Sequence, residues 1–149
     1  MKSKINNVLD FLMSWTKRAE IKKYKSTMLE NNELISQAEF IIKKQEEIID
    51  KGRLIKSDNI TYFTLQKNVD YENAVNVKGN VEILKANLNA VNKIYEVLIN
   101  ANSGRSQTKQ DIITDSSKKI SDVEKDMMKV TEGLSPKEYF YKFLPKELK

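Results

Sequence analysis

A run of apolar residues at alternating spacings of three and four crosses the middle of the chain. Its members are Ala74, Val77, Val81, Leu84, Leu88, Val91, Tyr95 and Leu98. This spacing places all eight on one stripe of an α-helix, and such a stripe gains its stability by packing against another helix. The pattern predicts a long amphipathic helix that ends in the segment from Asn100 to Gly104.

A second stripe with the same spacing precedes the first. It comprises Ile21, Tyr24, Met28, Asn31, Ile35, Ala38, Ile42, Gln45 and Ile49. Apolar doublets at 34–35, 41–42 and 48–49 widen this stripe, and a wide apolar face indicates contact with two neighbours. Gly52, directly after Lys51, is typical of a helix C-terminus and predicts the end of this helix.

Another helical stripe lies further upstream. It consists of Ile5, Val8, Leu9, Leu12, Trp15 and Ala19. The sequence allows either one helix over about residues 4–51 or a break near residues 25–32.

Two shorter helices are predicted near the C-terminus. The first carries Ile113, Ser116, Ile120, Val123, Met127 and Val130 on one stripe; Thr108 and Asp111 resemble a capping box at its start, and Gly133 closes it. The second begins with Ser135, Pro136, Lys137 and Glu138, a strong start signal. Because Pro145 has no amide hydrogen to continue a helix, this last helix extends at most to about Leu144.

The segment 53–70 has a different composition. The run ITYFTLQ at 60–66 is rich in β-branched and aromatic residues, and Ser57, Asp58 and Asn59 form a turn signal before it. We expect a short irregular or β-like connector here. The alternative is a helix that simply continues, because Ile55 keeps the seven-residue phase of the second stripe.

Together the stripes predict an all-α protein. The arms 21–51 and 72–102 are of equal length, about 46 Å each as helix, and are expected to form an elongated antiparallel hairpin or, with the third stripe, a three-helix bundle with heptad packing. Asn31 and Gln45 interrupt the first apolar stripe and either set the register of a buried seam or face water at a bundle end. The stripes do not decide whether they pack within one chain or between copies.

The amino-acid composition excludes several kinds of catalytic and metal-binding chemistry. The 149 residues suit one domain, and four Gly and two Pro fit a helix-rich chain. With no Cys and no His, the sequence excludes disulfides, thiolate chemistry, imidazole acid–base steps and Cys/His zinc sites. No apolar run is long enough to cross a membrane and no signal peptide is recognised, so we expect a cytoplasmic protein or one inside a viral particle.

The net charge of +5 is concentrated at one end of the chain. Residues 1–25 hold seven basic and two acidic side chains, whereas residues 26–149 hold 19 of each. Within this basic amphipathic segment the candidate partner-binding residues are Trp15, Lys17, Arg18, Lys22, Lys23 and Lys25. Such a segment can bind an anionic membrane surface or nucleic acid, or it can be a solvated charged face.

The C-terminal segment 134–149, which follows a core of residues 26–133, is predicted to be a docking helix. Its candidate partner-binding residues are Tyr139, Phe140, Tyr141 and Phe143, because aromatic side chains are the usual anchors of protein contacts. One side of this helix can fold back onto the bundle while the other inserts into a partner.

No residue set supports catalysis, and no cofactor or metal site is predicted. Glu46, Glu47 and Asp50 lie among Lys43, Lys44 and Lys51, which indicates a salt-bridged surface. The leading hypothesis is therefore a non-enzymatic structural or assembly protein with protein partners or a homo-oligomeric state. Its preferred concrete form is a phage or viral particle component, such as a scaffold, connector or internal protein. The alternative is a protein that binds nucleic acid or an anionic membrane through residues 1–25.

Overall fold

The protein is a bundle of long helices. The computed structural model describes the backbone of residues 2–57, 64–102 and 108–149, and the side chains of residues 18–51, 69–101 and 111–149. Its helices are α1 (Lys2–Ser57), α2 (Thr64–Asn102), α3 (Thr108–Val130) and α4 (Pro136–Tyr141), followed by a 3-10 turn at Lys146–Leu148. Helix α2 packs along both α1 and α3, and α4 packs on α1. The predicted all-α fold is confirmed.

The first helix is longer than the sequence signals suggested. Helix α1 continues for 56 residues, through the possible break at 25–32 and through Gly52. The predicted end at Gly52 is wrong, because one glycine inside a helix costs only about 1 kcal/mol relative to alanine. Ile55 keeps the seven-residue spacing of the α1 stripe, and this spacing correctly indicated that the helix continues past Gly52.

The connector is also shorter than predicted. Residues 53–57 belong to α1 and residues 64–70 belong to α2, so both ends of the expected connector are helical. Residues 58–63 lie outside the described residues, and the rest of the chain that the structure describes contains no strand. The turn signal at Ser57 coincides with the last residue of α1.

Three polar contacts at intervals of seven residues define the antiparallel register of α1 and α2. Lys78 and Lys85 form ion pairs with Glu46 and Glu39 at 3.2 and 3.3 Å, and the Asn92 amide donates a 2.9 Å hydrogen bond to Asn32. In each pair the two residue numbers add to 124. Residue n of α1 therefore lies level with residue 124 − n of α2.

The core follows the predicted stripes. Six of the eight stripe residues of α2 are buried, and Val77 and Tyr95 are half-buried. The buried cluster contains Ala38, Ile41, Val81, Leu84, Leu88, Val91, Leu98, Ile120, Met127, Phe140 and Leu144. Residues from all four helices thus share one core, and around Ile41 the second neighbour of the wide α1 face comes from the same chain. Seven residues further on, Ile48 is exposed.

The turn after α3 directs the chain back to the core. The Gly133 amide donates a 2.8 Å hydrogen bond to the Met128 carbonyl, a bond that closes a Schellman-type C-cap. Both Glu132 and Gly133 have positive φ, 56° and 94°. The predicted start of α4 is confirmed, because the Ser135 hydroxyl accepts the Glu138 amide hydrogen bond at 3.2 Å and Pro136 occupies the first turn.

Candidate interaction surfaces

A cluster of asparagine side chains lies between α1 and α2. Asn31 is only 8% exposed and donates a 3.0 Å hydrogen bond from its amide nitrogen to Oδ1 of Asn92, which is also buried. The Asn92 amide donates to Oδ1 of Asn32 at 2.9 Å and to the Met28 carbonyl at 3.4 Å. Asn92 therefore accepts through its side-chain oxygen and donates through its side-chain nitrogen, and its contacts reach two successive turns of α1.

This cluster resolves one of the alternatives that the sequence left open. Asn31 does not face water at a bundle end; it is held inside the α1–α2 seam by a hydrogen-bonded partner on the other helix. Asn32 and Asn92 were missed from sequence, because each directly follows a stripe residue and resembles an ordinary surface asparagine. Asn32 lies seven residues before Glu39, and Asn92 lies seven residues after Lys85. This shared heptad spacing is the signal that would have identified them.

Two tyrosines stack beside the asparagine cluster. The ring centroids of Tyr24 and Tyr95 lie 5.6 Å apart with the rings tilted by 36°. Burial raises the pKa of the Tyr95 hydroxyl above its ordinary value, and the negative charge of Glu124 and the neighbouring Tyr24 add to the rise. All three causes disfavour the phenolate, so Tyr95 is a neutral packing residue with a polar end.

The four aromatic residues predicted as a docking site are divided between core and surface. Phe140 is completely buried, and Tyr139 and Phe143 pack against the core with ring centroids 5.1 Å apart. The Tyr139 hydroxyl accepts a 3.2 Å hydrogen bond from the Asn80 amide. Tyr141 differs, because it is 54% exposed and the Lys149 ammonium lies 4.8 Å from its ring centroid. Of these four side chains, only Tyr141 is therefore exposed.

The basic residues near the N-terminus lie on the first half of α1. Arg18, Lys22, Lys23 and Lys25 are all exposed. The side chains of Trp15 and Lys17 lie outside the described residues, although the helix that carries them is described from Lys2 onward. Two of the three predicted carboxylates form ion pairs: Glu47 pairs with the neighbouring Lys44, whereas Glu46 pairs with Lys78 of α2.

A further apolar row, not recognised from the sequence, lies on the outer side of α2. Ile83, Ala90 and Val97 recur every seven residues, and Ile83 and Val97 are 47% and 50% exposed. Ala90 between them is half-buried. The row was missed because the stronger stripe from Ala74 to Leu98 accounts for the helix by itself.

No family model, curated protein or solved structure matches this chain. Within the described ranges, no three or more Asp and Glu side chains are grouped so that they could hold a metal ion. The helices described also include none that is long and apolar enough to cross a membrane.

Proposed function

We propose that this protein is a non-enzymatic helical assembly protein that works as part of a larger complex. The observation that carries the proposal is the exposed row of Ile83, Ala90 and Val97 on α2. Apolar residues that recur every seven positions are the form in which one helix offers a seam to another. Because α2 already uses a different stripe to pack within the chain, this row is free for a helix of a second chain.

The regular spacing distinguishes the row from ordinary surface exposure. Single apolar side chains on a protein surface are common and need no partner. Three residues that recur on one side of the helix over about 21 Å instead form a regular row. The exposed Tyr141 on α4 and Leu148 beyond it give the C-terminal end a second apolar feature suited to contact with a protein.

The test introduces two carboxylates into the row. The Ile83→Glu/Val97→Glu variant places charges where a partner helix would pack, and such charges cannot be desolvated without a large cost. The matched control is Asn73→Glu/Asn89→Glu, which adds the same charge at two exposed positions of the same helix outside the row. Light-scattering mass after size exclusion is measured over a range of concentrations, and circular dichroism checks that all chains remain helical.

We expect the wild type and the control to show a mass that is a multiple of 17.3 kDa, and the row variant to revert to one chain. If the partner is another protein, a pull-down retains a protein that the row variant loses and the control keeps. A mass of 17.3 kDa at every concentration, together with no partner that depends on the row, would refute the proposal. The more specific role as a phage or viral particle component stays a prediction.

A further inference from the structure

The first helix extends well beyond the helix that it packs against. The α1–α2 register places Asn102, the last residue of α2, level with residue 22 of α1. Residues 2–21 of α1 therefore project past the end of α2 by about 30 Å at the helical rise of 1.5 Å per residue. We call residues 2–25 the N-terminal arm.

The apolar positions of the arm lie on the opposite side of α1 from the hairpin seam. With Ile21 at position a of a seven-residue repeat, the seam facing α2 takes positions a and d. The arm's stripe instead takes positions b, c and f, at residues 5, 8, 9, 12, 15 and 19. Helix α1 is continuous across both regions, so their phases can be compared directly.

A described residue continues the arm's stripe into the body of the hairpin. Leu29 occupies position b, two heptads after Trp15, and is 70% exposed. Ala19, at position f, is also exposed. On the outer face of α1, the apolar side chains of Ala19 and Leu29 are thus uncovered where the described side chains begin.

Positive charge lies on and beside the same face. Lys22 and Lys23 occupy positions b and c, and Arg18 and Lys25 occupy position e at its edge; all four are exposed. Among the residues that the structure describes, none of the four forms an ion pair. Their charges are therefore available to an external anionic partner.

We propose that the N-terminal arm binds the surface of an anionic lipid membrane, with its apolar face toward the lipid. A helix lies in a membrane interface when one face is apolar and cations are available for lipid headgroups, and Trp is favoured at that depth. Nucleic acid would use the cations but would leave the apolar stripe without a role. A second copy is disfavoured because each arm carries a net charge of +5 and two arms would repel.

The test compares two charge reversals on the same helix. Lys22→Glu/Lys23→Glu changes positions b and c of the arm, and Lys43→Glu/Lys44→Glu changes the same two positions three heptads later. Both pairs are exposed and both variants alter the net charge equally. The full-length chains are mixed with vesicles of phosphatidylcholine alone and of equimolar phosphatidylcholine and phosphatidylserine, and binding is measured by co-sedimentation.

We expect binding to the phosphatidylserine vesicles only, with the Trp15 fluorescence shifting to the blue; Trp15 is the only Trp in the chain. The arm variant should bind at least about 30-fold more weakly, since each of the two lost cations contributes roughly fivefold near such a surface. The control should bind like the wild type. Absence of vesicle binding, equal binding by the two variants, or binding to duplex DNA or RNA without vesicle binding would overturn the proposal.

Discussion

The asparagine cluster gives the sharpest prediction about stability. In Asn92→Ala the Asn31 amide loses the acceptor of its 3.0 Å hydrogen bond while it stays in a site that is 8% exposed. A buried donor left without a partner costs about 1–3 kcal/mol. Asn32 is exposed, so water replaces the hydrogen bond that it received from Asn92, and the loss of that bond adds little to the cost. We therefore expect a loss of about 2 kcal/mol, dominated by Asn31.

The assay is urea unfolding followed by circular dichroism, with thermal unfolding as a second measurement. A loss of this size lowers the unfolding midpoint by roughly 4–8 °C in a chain of about this length. Asn31→Ala and the double variant complete a double-mutant cycle. If the two side chains depend on each other, the double variant loses less than the sum of the single losses, by about 1 kcal/mol or more.

The same cluster should also control register. In Asn31→Leu/Asn92→Leu both polar partners are removed together, so stability should change little, but the apolar stripes then allow a slip of seven residues. Because the chain has no native Cys, introduced pairs report this slip with a short bis-maleimide reagent. Residue 39 should cross-link to residue 85 in the wild type, and additionally to residue 78 or 92 in the Leu variant. The reasoning would be refuted if the losses of stability in the double-mutant cycle were additive and the Leu variant cross-linked in a single register.

Three further predictions test other parts of the fold by unfolding measurements. Glu132→Gly should stabilise the chain by about 1 kcal/mol, because Glu132 has a φ of 56° that glycine adopts without strain; a loss would contradict this account of the C-cap. Phe140→Ala should cost about 3–5 kcal/mol and make α4 sensitive to protease, whereas Tyr141→Ala should do neither; equal effects would contradict the division of α4 into core and surface sides. Because the pKa of Tyr95 is raised from 10.0 in the folded chain, the neutral hydroxyl contributes to the free energy of unfolding below pH 10, and this contribution is lost as the pH rises through the folded-state pKa. Tyr95→Phe, which has no hydroxyl to ionise, should therefore lose less stability above pH 10 than the wild type. Identical stability profiles for the two chains at alkaline pH would contradict this.

The helices could be predicted because burial repeats with the period of the helix. Of the residues on the α2 stripe, six are buried, and the doublet residue Ile41 is completely buried at the level where the core includes residues of α3 and α4. The apolar stripe can be recognised from the helical period alone, before the helix that covers it is known.

Register could not be predicted in the same way. Two heptad stripes fit each other at every slip of seven residues, so the apolar pattern alone leaves several alignments equivalent. The alignment is specified by Glu39, Glu46 and Asn32 facing Lys85, Lys78 and Asn92. From the sequence alone, each of these resembles an ordinary polar surface residue, because its partner on the other helix is not known.

The end of α1 and the orientation of the α4 side chains could not be predicted, for local reasons. Gly52 resembled a C-cap, but a glycine penalty of about 1 kcal/mol is too small to end a helix of this length. At the end of α3 the glycine signal identified the turn, while the preceding Glu132 also takes a positive φ. Four aromatic residues in α4 were all candidates for partner contact, and only the fold shows that Tyr141 is the one facing outward.

The continuity of α1 fixes the orientation of the arm's apolar face relative to the seam that α1 forms with α2. A straight helix drifts by only about 20° per heptad from a seven-residue repeat, so the two heptads between residues 15 and 29 cannot bring the arm's face round to the seam. Had the helix broken at residues 25–32, the two faces would be independent. Because it does not break, a lipid surface on the outer face leaves the seam to α2, and both can be occupied at once.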